Sequence, residues 1–149
     1  MNDRLDKLAD EFEIRNLVAR LAHLADRAPD LEEYLDCFTE DAIWEVSPES
    51  LAKITAPVSR PHLVGRAAIE ADRLHVREIK HQGPGAETFH ANTTLAVRVG
   101  DDGTAEAESY WLFIDAKFEP AIKRIGHYHD RFQRTDNGWR LARRVVTPS

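Results

Sequence analysis

The order of signals along this chain predicts an α+β fold, with N-terminal helices packed on one face of an antiparallel sheet. Helical periodicity is confined to the first half. Long alternating runs fill the second half, over residues 86–99, 104–116, 122–134 and 139–147. Two joints between these runs, "GDDG" (100–103) and "TDNG" (135–138), are hairpin signals. There is no internal repeat or low-complexity segment, so residues 1–149 read as a single domain, long enough to bury a core.

Each element follows from local signals. Asn2 or Asp3 caps a first helix that runs to Asp26 or Arg27, and Pro29 closes it. A short helix is expected over Leu31–Phe38, then a short strand in "AIWEV" (42–46). Residues 47–64 contain Pro48, Pro57 and Pro61 and have no clear period. A connection of that length in a compact domain reads as a lid or a binding loop. A third helix is expected from Arg66 to Lys80 after Gly65, and "GPG" (83–85) breaks the chain before the strands.

Composition narrows the function classes. The formal net charge of −6 argues against nucleic acid as the main partner, because phosphate neutralisation needs a basic surface. No apolar run is long enough to span a membrane. The charged N-terminus "MNDRLDKLADEFE" lacks the apolar core of an export signal. The single cysteine, Cys37, excludes an intramolecular disulfide and fits the cytoplasm, where it reads as a small packed hydrophobe.

The strands divide into faces. In the first, Phe89, Ala91, Thr93, Leu95, Val97 and Val99 alternate with Thr88, His90, Asn92 and Thr94. In the second, Glu106 and Glu108 mark a solvent-facing end, which turns Ala105, Ala107, Ser109, Trp111 and Phe113 toward the helices. In the third, Gly126, Tyr128 and Phe132 oppose His127, His129 and Arg131. In the fourth, Trp139, Leu141, Arg143 and Val145 form one set, with Arg140 and Arg144 alternating toward solvent. A strongly bent sheet with such faces encloses a cavity on its concave side. Its convex side is then covered by a second subunit, which predicts a homo-oligomer, a dimer or trimer. Alternation alone leaves open whether His90 faces solvent or the cavity.

On the first helix, Ile14, Leu17, Val18, Leu21, Leu24 and Ala25 form a broad apolar stripe. Ala19 and Ala22 form a narrower patch bordered by His23 and Asp26. Small side chains beside an acid and a histidine leave room for a ligand. Asp26 sits at the helix C-terminus, where its charge opposes the dipole. It either meets solvent beside Arg27 or serves a site.

Six stretches carry a resemblance to a known family. They are "EIRNLVARLAHLAD" ending on Asp26, "FTEDAIWEV", "GRAAI", "FHANTTLAV", "AEAESYWLF" and "GHYHDRFQRTDNGWRLARR". In this order, over most of the chain, they resemble the SnoaL-like branch of the NTF2-like (cystatin-like) superfamily, and within it scytalone dehydratase and the hexachlorocyclohexane dehydrochlorinase. The resemblance implies a cone-shaped, curved antiparallel sheet wrapped around N-terminal helices. It implies Asp26 and His90 as a catalytic pair, His90 pointing into the cone, Trp44 on the pocket wall and Arg143 assisting from the last strand. Two departures count against either relative's substrate. Ala25 stands where the dehydratase has a tyrosine, and Leu21 where the dehydrochlorinase has a lysine. His23 and Asn92 are the candidates for the missing polarity, with Trp111 and Tyr128 as further pocket residues.

Such a pair permits defined chemistry. A carboxylate on one imidazole nitrogen fixes the tautomer, and the other nitrogen takes a proton from a carbon acid. Arg143, Tyr128 or Asn92 then stabilises the oxyanion or leaving group. No metal and no organic cofactor is needed. The expected function is a lyase or isomerase acting on a small hydrophobic or aromatic substrate, of dehydratase or dehydrohalogenase type. Two rivals stand beside it. One is a non-catalytic binding or scaffold role, such as the small subunit of a ring-hydroxylating dioxygenase. The other is a metal site, built from His23, Asp26 and His90 or from His127 and His129.

Overall fold

The computed structural model describes residues 3–52 and 60–149. Helix α1 spans Asp3–Arg27 and α2 spans Glu32–Asp36. Strand β1 (Phe38–Val46) follows, then the one-turn helix α3 (Pro48–Leu51), the short strand β2 (His62–Val64) and helix α4 (Arg66–Glu78). The long strands are β3 (Thr88–Val99), β4 (Thr104–Asp115), β5 (Ala121–Thr135) and β6 (Gly138–Pro148). The expected helices and strands are present, within a few residues of their expected bounds. The segment 47–64 departs from the reading as an aperiodic loop, since it carries α3 and β2. Its residues 53–59, on which the lid expectation mostly rests, lie outside the described residues.

One curved, unclosed sheet is formed, in the order β2-β1-β6-β5-β4-β3. All neighbours are antiparallel except β1 and β6, which run parallel. The β5–β6 hairpin turns on Asp136 and Asn137, and Gly138 closes it at φ +94°, a left-handed value that glycine adopts without strain. Helix α1 packs its apolar stripe on the concave face. Ile14, Leu17, Val18 and Leu21 join Phe38, Phe132, Trp139 and Leu141 in the main core. Buried Asp10 ties the helix to the sheet by accepting from the Trp139 indole N–H at 3.0 Å.

Two of the register shifts in the sheet overturn the expected faces. In β3, Thr94 and Leu95 together oppose Ser109, and Thr94 takes φ +55°. The extra residue flips the side-chain phase. Phe89 faces outward as expected, but Leu95, Val97 and Val99 turn inward and pack on the main core rather than covering the convex face. The carbonyl of Leu95 accepts from Arg15 at 2.9 Å, which anchors α1 over the bulge. In β6, Leu141 pairs with Phe132 and Arg143 with Arg131, so Ala142 is the extra residue. The phase shift turns Arg143 outward and Arg144 inward, the reverse of the expectation.

Candidate active site

Between α1 and the sheet lies a cavity of about 140 Å³. Its α1 wall is Leu21 and Ala25 from the broad apolar stripe and Ala22 from the small-residue patch, while Ala19, the other residue of that patch, is exposed and does not line it. His90 and Asn92 line it from β3, Trp111 and Phe113 from β4, Arg124 and Tyr128 from β5, and Arg144 and Val146 from β6. Trp44 closes one side from β1, and Arg73, His81 and Gln82 another.

Asp26 and His90 meet although they are 64 residues apart. Asp26 lies in the last turn of α1 and is only 7 % exposed. Its Oδ2 accepts from the His90 backbone N–H at 2.7 Å, and its Oδ1 lies 2.7 Å from His90 Nδ1. The bond to the main chain fixes the carboxylate against β3. The bond to Nδ1 leaves Nε2 as the ring nitrogen without this partner. The helix end is held separately by Arg77, which donates to the carbonyls of Leu24 at 3.2 Å and Ala25 at 3.4 Å. These bonds supply the cationic capping that a helix C-terminus favours, so the last turn tolerates Asp26. The His90 ring leans on Phe113, with centroids 5.1 Å apart.

The far side of the cavity is built around a second buried carboxylate, Asp130, at 1 % exposure. Arg144 donates to it through Nε and Nη2, each at 2.7 Å. Burial alone would lower the Arg144 pKa; the Asp130 charge and these bonds outweigh it and raise the value. The guanidinium lies 3.9 Å over the Tyr128 ring, which stacks on Trp111 at 5.7 Å. Burial pushes the Tyr128 hydroxyl up to about 12, so it is a neutral phenol across the physiological range. Gly126 pairs across the strands with Trp111, and a Cβ there would meet the indole at 2.6 Å. The missing side chain is what seats Trp111 flat on the cavity floor.

Five of the eight residues selected from sequence line the cavity, namely His90, Trp44, Asn92, Trp111 and Tyr128, and a sixth, Asp26, stands behind His90. Two do not. His23 is exposed and does not line the cavity. Arg143 is exposed on the outer face and pairs with Glu45, because the Ala142 bulge inverts its side. Arg144 takes the position expected for Arg143. The sequence reading also passed over Arg73, Gln82 and Arg124. Arg73 donates to Gln82 at 3.0 Å and to Asp72 at 2.5 Å, and its guanidinium lies 5.7 Å from the Trp44 ring. An Asp-Arg pair within an amphipathic helix gives no sign that both are buried. Arg124 carried a usable signal, since it lies two residues from Gly126 on the same face. Cys37 is buried, as expected, and burial pushes its thiol up.

Among the described residues no group of three or more His, Cys, Asp and Glu side chains is arranged to hold a metal ion. His23 stands apart from the Asp26–His90 pair, and His129 is exposed on β5. No described helix is long and apolar enough to cross a membrane.

Comparison with known proteins agrees with this architecture. Residues 6–145 match the SnoaL-like domain family, and the chain belongs to it. The small subunit of anthranilate 1,2-dioxygenase from Burkholderia cepacia is 28 % identical over 152 aligned residues, covering 98 % of this chain and 91 % of that one. An NTF2-like protein with a cystatin-like fold from Novosphingobium aromaticivorans superposes with a TM-score of 0.77 at 28 % identity, over 97 % of this chain and 85 % of that one. A cystatin-like protein from Nostoc punctiforme shares the fold, with a TM-score of 0.75 at 17 % identity over 95 % and 92 % of the two chains.

Proposed function

We propose that the chain is a cofactor-independent lyase or isomerase, in which His90, oriented by Asp26, removes a proton from carbon in a small cyclic or aromatic substrate. The observation that carries this reading is the two-point grip of a buried carboxylate on His90 at the cavity wall. Held through Nδ1–H, the ring presents its Nε2 lone pair to the cavity. The proton moves from substrate carbon to Nε2, and the C–H electron pair forms a new double bond. A halide then leaves with its bonding pair, or a β-hydroxyl leaves as water by taking the proton back from Nε2, or an existing double bond shifts and the same proton returns to its far carbon. Asp26 stabilises the imidazolium that forms. The neutral Tyr128 hydroxyl and the Asn92 amide are the groups available to the leaving oxygen or enolate. Such general-base help is worth about 10²–10⁴-fold in rate. Turnover of hydroxylated or halogenated ring substrates is the test. Asp26→Asn and His90→Ala are each expected to lower it about 10²–10⁴-fold, and unchanged turnover in both would refute the assignment.

A second reading draws on the likeness to a dioxygenase small subunit. In that reading the cavity is structural and the chain docks on a larger catalytic chain. The outer face favours assembly in either case. Phe89, Tyr110, Ile122 and Ile125 are exposed there on neighbouring strands, with Tyr110 54 % and Ile122 60 % exposed. We read this surface as the contact of a homo-oligomer of a cytoplasmic, single-domain protein. Light scattering of the purified chain at micromolar concentration distinguishes the readings. A catalytically active dimer or trimer favours the lyase, and an inert chain that assembles only with a large subunit favours the scaffold.

A further inference from the structure

We propose that the substrate is an organic anion, a ring bearing a carboxylate, whose charge is received by Arg124 at the cavity mouth. The inference rests on the base assignment above and adds the substrate class. Its first support is register. His90 pairs with Phe113, and Phe113 pairs with Arg124, so the three form one row across β3, β4 and β5 on the concave face. Strands in a sheet lie roughly 4.8 Å apart, which sets the His90 and Arg124 backbones roughly 10 Å from each other. A ring lying over Phe113 therefore has His90 at one edge and Arg124 at the other.

The second support is the state of the three cavity arginines. Arg144 is held by Asp130, and Arg73 by Asp72 and Gln82. Arg124 lines the cavity, is exposed, and has no ion-pair or hydrogen-bond partner among the described residues. The third support is the field around it. His81 stacks on the same Phe113 ring at 4.9 Å. Burial lowers the His81 pKa, and the neighbouring charges Arg124, His90, Arg73 and Lys117 lower it further. Of these groups, Arg73 is answered by Asp72 and His90 by Asp26, which leaves Arg124 as the cavity-lining cation without a carboxylate partner among the described residues. An unpaired guanidinium there suits a carboxylate, which it binds through two parallel N–H donors.

The test uses benzoate and its neutral isostere benzamide, with binding to the full-length protein read by calorimetry or by quenching of Trp44 and Trp111. The wild-type protein is expected to bind benzoate at least ~10-fold more tightly than benzamide, in line with a charge-assisted hydrogen bond. Arg124→Gln is expected to erase that preference, and Arg124→Lys to keep part of it. Asp26→Asn is expected to leave the preference intact while lowering turnover, so failure of the base assignment and failure of anion recognition read out separately. Absence of benzoate binding, equal binding of the two probes, or a preference that survives Arg124→Gln would overturn the proposal.

Discussion

Two of the buried carboxylates behind the cavity wall, Asp26 and Asp130, hold opposite kinds of partner. Asp26, at one wall, grips an imidazole through one ring nitrogen and leaves the other available. Asp130, behind the cavity-lining Arg144, grips that guanidinium through two donors, and its partner stays protonated throughout the accessible pH range. Both are nearly inaccessible to water, so burial does not separate them. The partner does. An acid on histidine makes a group that can exchange a proton, whereas an acid on arginine makes a fixed dipole that organises Tyr128 and the cavity floor. Chemistry is expected from the first pair and architecture from the second.

The largest expected effects separate these roles. Asp26→Asn keeps an oxygen for the His90 backbone N–H, but its amide donates to Nδ1 and forces the proton onto Nε2. Turnover should fall about 10²–10⁴-fold with little change in melting temperature. Asp130→Ala strands the buried Arg144 charge. It should cost about 3–5 kcal/mol of stability, seen as a lower denaturant midpoint. If Asp26→Asn unfolds the protein while Asp130→Ala spares its stability, the division of labour is wrong.

Smaller effects sharpen the picture. Gly126→Ala forces a methyl against the Trp111 indole and the Thr147 carbonyl. It should cost about 1–3 kcal/mol, as overpacking does, and weaken aromatic ligands by displacing the floor. Arg143→Ala removes only an exposed pair with Glu45. It should cost at most about 1 kcal/mol and leave ligand affinity unchanged, whereas a large loss of affinity would return Arg143 to the site. The weakest effect is on pH dependence. His81 has a folded pKa below its ordinary 6.5, so the unfolded chain takes up the proton first as pH falls. Stability is therefore full above 6.5 and declines below it, and His81→Gln should show a shallower decline in melting temperature between pH 7 and pH 5.5.

The same contrast explains what was legible in the sequence. Asp26 and His90 sit in regular positions, at a helix end and in an unbroken stretch of alternation, so their placement beside one another is legible. The hairpin turns and helix bounds were equally readable, because turn residues and prolines act locally. The errors on the strands share one cause. Ala142 and Thr94 each add a residue to a strand, and every side chain beyond a bulge changes face. Leu95 and Val97 were therefore turned outward, and Arg143 was chosen over Arg144. Nothing in "RLARRVV" marks Ala142 as the extra residue, since the bulge is set by pairing with β1 and β5. His23 failed for a different reason. One helix position sets a residue about 100° from its neighbour, so a histidine bordering a small-residue patch faces water. The Asp72–Arg73 pair was invisible because burial of adjacent charges depends on what covers α4.

The central claim is that Asp26 holds the proton on Nδ1 of His90 and presents Nε2 as the base. Nitrogen-15 NMR of histidine-labelled protein, at a pH where His90 is neutral, tests it most directly. The account predicts the Nδ1–H tautomer in the wild-type protein and a switch to Nε2–H in Asp26→Asn. A wild-type Nε2–H tautomer, or a tautomer indifferent to Asp26→Asn, would contradict it.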